Sequence, residues 1–180
     1  MGRYRWDKKA TVEECKSIST TFLKQHDYFC GVRWGGMKWT RNGEETGSIS
    51  FRVSVQEWTG EISFQYTQTQ RHSGEKESLD YPVSLTATPC RYGGKRWWFI
   101  CPLVKNGVSC SRRVLKLYLG SGKYFGCRHC YNLTYESCQE HDARVDRLCK
   151  DPLLLDQLLS RGAAGSLVAL KAAFKLKGYL

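Results

Sequence analysis

Four cysteines, Cys101, Cys110, Cys127 and Cys130, constrain this chain more than any other feature. The second pair stands in FGCRHCYNLTY, residues 125–135, and the first in KRWWFICPLVKNGVSC, residues 95–110. Between the pairs, Leu115, Leu117 and Leu119 alternate with Val114, Lys116 and Tyr118, as along a strand. Gly120-Ser121-Gly122 then turns the chain, and Lys123 to Gly126 returns it. A cysteine pair, a strand, a tight turn, a strand and a second cysteine pair make a hairpin with both pairs at one end. The pattern C-x8-C-x16-C-x2-C therefore offers four sulfur ligands to one tetrahedral zinc ion. The eight-residue gap is wider than the usual two to four, so the loop holding Asn106-Gly107 has to bulge.

A rival ligand set is Cys127, Cys130, Cys138 and His141, spaced C-x2-C-x7-C-x2-H. It would hold zinc between the turn and a following helix. The first set is preferred because the hairpin independently delivers Cys101 and Cys110. Four sulfurs close the coordination sphere and leave no position for water, so the zinc is expected to be structural. His129, between two ligands, is expected to face solvent or a phosphate. Cys15, Cys30, Cys90, Cys138 and Cys149 are expected to be buried thiols.

Nine cysteines is an odd number for a disulfide framework. The N-terminus, MGRYRWDKKATVEEC, lacks the apolar core of a secretory signal. Trp6 also occupies the place where a myristoylation site needs Ser or Thr. These features predict reduced thiols and a cytoplasmic protein. No apolar run approaches the roughly 18 residues of a membrane span, so no membrane association is expected.

The net charge of +11 is unevenly spread. Residues 1–30 carry six basic and four acidic side chains, residues 31–80 six and seven, and residues 136–180 seven and six. Tyr81 to Tyr135 carries nine Lys or Arg and no Asp or Glu, so nine of the eleven excess charges fall in this segment. Zinc with four thiolates has a net charge of −2, and balancing it uses about two of those cations. The remainder predicts a polyanionic partner, either DNA or RNA.

Arg96, Arg112, Arg113, Lys116, Lys123, Arg128 and His129 are the candidate nucleic-acid contacts. Arg112 and Arg113, next to Cys110, are the preferred phosphate ligands. Aromatics are interleaved with them: Trp97, Trp98, Phe99, Tyr118, Tyr124, Phe125 and Tyr131. Successive strand side chains alternate, so either Trp98 or the Trp97/Phe99 pair must face outward. The outward group can pack on the rest of the protein or stack on bases, and Trp98 joins the candidate contacts. The rival function is a protein-interaction module, an adaptor or inhibitor docking its basic surface on an acidic protein. No metalloprotease, nucleophile-elbow, phosphate-loop or dinucleotide motif is present, and the basic segment has no acidic cluster for a metal-dependent nuclease. A non-catalytic protein is expected.

Upstream, Thr11-Val12-Glu13-Glu14 has the form of a capping box, followed by Val12, Cys15, Ile18 and Phe22 at helical spacing. The poor helix formers Ser17 to Thr21 could divide this segment into two short helices. Three alternating runs follow: Ile49 to Val55, Ile62 to Thr67, and Leu79 to Ala87. They predict an antiparallel meander with one dry face and an ordinary solvated face, with Trp58-Thr59-Gly60 and Arg71 to Gly74 as turns. Gly31 to Trp39 could add an edge strand through Asn42-Gly43. After the basic segment, Cys138, His141, Val145 and Leu148 share a helical face, with Glu140 and Arg144 as an i,i+4 pair. Asp151-Pro152 starts a leucine-rich helix that Gly162 ends, and Leu167, Leu170 and Phe174 line a last helix by packing.

GGKRWWFICP, C-x-R-R-V with LYL, and YFGCRHCYNLTY together resemble a group of small uncharacterised bacterial zinc-ribbon proteins. The likeness is strongest over residues 90–137. It implies a zinc ribbon liganded by Cys101, Cys110, Cys127 and Cys130, and it implies no particular activity. The expected whole is an α+β chain: an N-terminal helical segment (1–29) on an antiparallel β-meander (30–89), a four-cysteine zinc ribbon (90–135) and C-terminal helices (136–180).

Overall fold

A computed structural model describes residues 8–69, 74–160 and 166–177. It is a mixed α/β structure, mostly β, and divides into two units, residues 1–134 and 135–180. In the first unit, β1 (Lys16–Ser19) leads into α1 (Thr20–Gln25). Then come β2 (Val32–Arg41), β3 (Glu44–Val55), β4 (Thr59–Thr69), β5 (Lys76–Pro89) and β6 (Lys95–Ile100). Four short strands follow: β7 (Val104–Lys105), β8 (Val108–Ser109), β9 (Arg113–Val114) and β10 (Lys116–Leu119).

The main sheet is antiparallel with strand order β2-β3-β4-β5-β6-β9. Asn42 and Gly43, both at positive φ, form the β2–β3 turn, as a two-residue hairpin loop requires. Residues 70–73, which hold most of the expected β4–β5 turn, lie outside the described residues. The alternation of each strand separates two faces. Phe51, Val53, Ile62, Phe64, Val83 and Leu85 are buried on one side with Trp97 and Phe99. Trp34, Arg52, Ser63, Pro82 and Trp98 occupy the other, following the strand register. The choice left open for the three aromatics of β6 is thereby settled, with Trp98 outward. Across the turn at Cys90–Gly94 the sheet continues from β5 to β6 and then β9.

The N-terminal helix is shorter and later than its spacing predicts. The Glu14 carboxylate does accept the Thr11 N–H at 3.1 Å, as in a capping box, but no helix follows. Lys16–Ser19 instead pairs with β10, with Ile18 opposite Leu117, and both are buried. Ser17 to Thr21 is rich in β-branched and hydroxyl residues, and an available strand edge takes precedence over its weak helix propensity. Ser19 then caps α1 by accepting the Phe22 N–H at 3.1 Å.

The hairpin expected between the cysteine pairs is likewise reduced. β9 joins the main sheet through β6, β10 pairs with β1, and only a Tyr118–Gly126 bridge remains of the return strand.

The second unit contains α2 (Glu136–Glu140), α3 (Ala143–Lys150), α4 (Pro152–Ser160) and α5 (Ser166–Leu176). The expected continuous helix breaks at His141 and Asp142, because Asp142 caps a new helix by accepting the Arg144 N–H at 3.0 Å. Arg144 pairs with that same Asp142 at 3.1 Å. Asp151 caps α4 as expected, accepting from the Leu154 N–H at 3.1 Å. Gly162 lies outside the described residues. The packing face of α5 is opposite to expectation: Ala169 and Ala172 are buried, while Leu167, Leu170 and Phe174 are exposed. Alanines allow close helix approach, which the 3.6-residue spacing of the larger side chains conceals. Among the described residues, no helix is long and apolar enough to cross a membrane.

Candidate metal centre and its basic surroundings

Three elements bring the cysteines together. Cys101 follows β6, Cys110 follows β8, and Cys127 and Cys130 lie on a tight turn just past the Tyr118–Gly126 bridge. The wide first gap is spanned by a small hairpin, β7 against β8, with Asn106 and Gly107 at positive φ in its turn. The Cys110 N–H donates to the Leu103 carbonyl at 2.9 Å, closing the base of that hairpin. The expected bulge is thus an ordered finger, and its Val104 and Val108 side chains are exposed.

The four sulfurs lie within 4.8 Å of one another. Cys101 Sγ is 3.9 Å from Cys130 Sγ, and Cys110 Sγ is 3.7 Å from Cys127 Sγ. A tetrahedron with metal–sulfur bonds of about 2.3 Å has edges of about 3.8 Å, so these residues fit a four-thiolate metal site. Backbone donors surround the sulfurs: the Cys127 N–H reaches Cys101 Sγ at 3.3 Å, and the Cys130 N–H reaches Cys127 Sγ at 3.4 Å. Cys101 and Cys127 are 1% and 0% exposed, while Cys110 and Cys130 reach the surface.

Electrostatics fit a cation at the centre. Burial pushes the Cys101 thiol up to about 11 and also raises Cys130. At Cys110 burial acts in the same direction, but hydrogen bonds from the Arg112 backbone and the neighbouring thiols prevail and lower it. Four sulfurs at these separations cannot all be anionic without a compensating charge, which a divalent ion would supply.

The rival ligands are not gathered here. Cys138 lies on α2, in the second unit, and is exposed. His141 Nε2 instead meets Asp146 Oδ2 at 2.7 Å. Nor are the remaining thiols buried as expected: Cys30 and Cys138 are exposed, and Cys15, Cys90 and Cys149 are half-buried.

The candidate nucleic-acid residues divide into groups. Arg112, Arg113, Lys116, Arg96 and His129 are exposed, and Arg128 is half-buried. Arg113 lies opposite Ile100 in the β6–β9 ladder and so shares the outward face with Trp98 and Arg96. The Arg96 guanidinium sits 5.8 Å from the Trp98 ring centre, and Trp98 Nε1 donates to Thr88 Oγ1 at 2.9 Å. Lys123 differs from the rest, because its ammonium is bound to Glu77 at 2.5 Å. Its basic segment contains no acid, but the fold brings one from β5.

Sequence reasoning missed a cluster of phenols beside the four cysteines. The Tyr81 hydroxyl accepts the Phe125 N–H at 2.7 Å and lies 3.3 Å from the Tyr66 hydroxyl. Tyr66 donates to the Lys123 carbonyl, and Tyr131 donates to the Tyr124 carbonyl. Burial raises all three phenols above their ordinary range and keeps them neutral donors. The Tyr131 ring also lies against Gly120 and Gly122; a Cβ at Gly120 would stand 2.7 Å from it. Tyrosine in place of phenylalanine at two dry-face positions, 66 and 81, was the available signal.

Comparisons with protein-family models, curated proteins and solved structures find no match to this chain.

Proposed function

We propose that this chain is a non-catalytic, cytoplasmic zinc-ribbon protein that binds nucleic acid, mainly through phosphate contacts. Cys101, Cys110, Cys127 and Cys130 hold one structural Zn²⁺, and the ion's role is to fix the surrounding loops. The observation that carries this reading is the disposition of the acid-free segment. Its cations at Arg96, Arg112, Arg113 and Lys116 are exposed, beside a closed sulfur site that has no open position for substrate. Phosphate contacts of this kind give affinity with limited sequence specificity.

Four such contacts on a duplex give a slope of log K against log salt of about −3.6, and on a single strand of about −2.8. Fluorescence anisotropy of the zinc-loaded protein with duplex DNA, single-stranded DNA and RNA, at several salt concentrations, measures it. Reversing Arg112 and Arg113 to Glu should halve the slope or more while leaving zinc content unchanged. A variant that binds with the wild-type slope would overturn this reading. Absence of binding at low salt would point instead to an acidic protein partner.

A further inference from the structure

We infer that the outward face of the main sheet is a second nucleic-acid surface, one that takes a single strand by stacking an unpaired base on Trp34. Trp34 is 70% exposed although it lies within a ten-residue strand. Arg52 stands directly opposite it on β3, with its guanidinium 5.4 Å from the ring centre. Stacking against arginine holds a tryptophan in place while leaving its other surface available.

The surroundings of Trp34 are shaped for a planar ligand. The next outward residue on β2 is Gly36, opposite Ser50, and Ser63 follows beyond Arg52. These small residues leave a depression of about 670 Å³ beside the indole. Its far side is closed by Gln65 and Asp80, whose Nε2 and Oδ2 are 2.8 Å apart. One amide N–H of Gln65 is committed to Asp80, which leaves its carbonyl and its second N–H, and the carboxylate can only accept, so acceptors predominate along this wall. Such a wall suits a base edge that donates hydrogen bonds. Guanine presents two adjacent donors there, whereas uracil and thymine present a single imino N–H.

A duplex hides both ring faces and these base edges, so the partner is a single strand. Charge and length agree. The same face carries Trp98 with Arg96 and Arg113 on the far strands, so each aromatic platform has an arginine beside it for phosphate. Among the described residues the acids on this face include Glu45, Glu61 and Asp80; Glu45 is paired with Lys38 and Asp80 is engaged by Gln65. β2 and β6 are four strands apart, about 19 Å, enough for a few nucleotides.

This inference rests on the nucleic-acid reading and shares Arg96 and Arg113 with it, but it turns on Trp34 and the depression beside it, which that reading does not use, so the two can fail separately. The test is anisotropy with a labelled ten-nucleotide pyrimidine strand, as DNA and as RNA, with and without a central guanine. Trp34→Ala should weaken binding by about five- to 150-fold, Trp34→Phe should restore most of it, and the guanine strand should bind tighter. Because the side chain is exposed, zinc content and far-ultraviolet dichroism should be unchanged. Photocrosslinking of an iodouracil strand to the peptide holding Trp34 gives a second readout. If Trp34→Ala binds within twofold of wild type while the Arg112/Arg113 reversal abolishes binding, the sheet-face inference fails and the ribbon reading stands. The converse result overturns the ribbon reading and retains the sheet face. A wild-type protein that binds no strand overturns both.

Discussion

Replacing Tyr81 by Phe isolates the link between the sheet and the cysteine-bearing segment. The substitution keeps the ring and its edge-on contacts with Phe64 and Tyr124, at 5.9 and 4.9 Å between ring centres. It removes only the hydroxyl that accepts the Phe125 N–H, in a residue that is 1% exposed. A buried donor left without a partner costs about 1–3 kcal/mol. For a chain of this size that lowers Tm by about 2–12 °C. Phe125 lies two residues before Cys127, so zinc affinity should fall as well. Urea unfolding of the zinc-loaded protein measures the first effect, and competition with a chromophoric chelator measures the second. Tyr124→Phe serves as control, because that side chain is exposed and its change should stay within about 0.5 kcal/mol. If Tyr81→Phe unfolds within about 0.5 kcal/mol of wild type, the hydroxyl does not hold the segment and the reasoning fails.

Zinc uptake by metal-free protein at pH 7 should release about three to four protons per ion, measured by titration in weakly buffered indicator, and Cys127→Ser should abolish stoichiometric uptake. In the metal-free fold, burial raises Cys101 from 9.0 to about 11, so its contribution to stability is fully present below pH 9. That contribution should be lost as pH rises from 9 to 11, because the unfolded thiol ionises first. Denaturation midpoints across this range, compared with Cys101→Ser, test the sign; zinc-loaded protein should show no such loss. Gly120→Ala places a methyl 2.7 Å from the Tyr131 ring and should destabilise by about 1–3 kcal/mol in thermal unfolding.

The four cysteines, the meander and the cap at Asp151 express local rules and were legible, whereas the caps at Ser19 and Asp142 were not. The cysteine spacing identified all four sulfurs that the fold gathers. Period-two alternation placed β3, β4 and β5, and Asn42-Gly43 located the β2–β3 turn. What the sequence concealed is set by partners distant along the chain. Lys16–Ser19 is a strand only because β10 offers it an edge. Lys123 loses its free charge only because Glu77 lies across from it, 46 residues earlier. The exposure of Trp34 was hidden in the same way, since the outward row of Ser, Thr and Gln resembles an ordinary solvated face until the register places Trp34 beside Arg52.

The arrangement also bears on why so many cations surround the candidate metal site. A four-thiolate zinc centre carries a charge of −2, and cations serving only to neutralise it would gain most by lying close to the sulfurs, out of water. Arg128 is half-buried between two ligands and suits that role. Arg112, Arg113 and Lys116 are exposed, where water screens their attraction to the cluster to about 1 kcal/mol or less. Charge balance therefore accounts poorly for their number and position. The core gives the complementary half of the explanation. Leu117, Phe125, Trp97 and Phe99 pack in the same apolar cluster as Phe51 and Phe64, so the cysteine-bearing segment rests on the sheet's core. With packing supplied from below, the segment keeps these cations at the surface; on the proposed reading a bound zinc ion would fix its loops and a polyanion would meet the exposed charges.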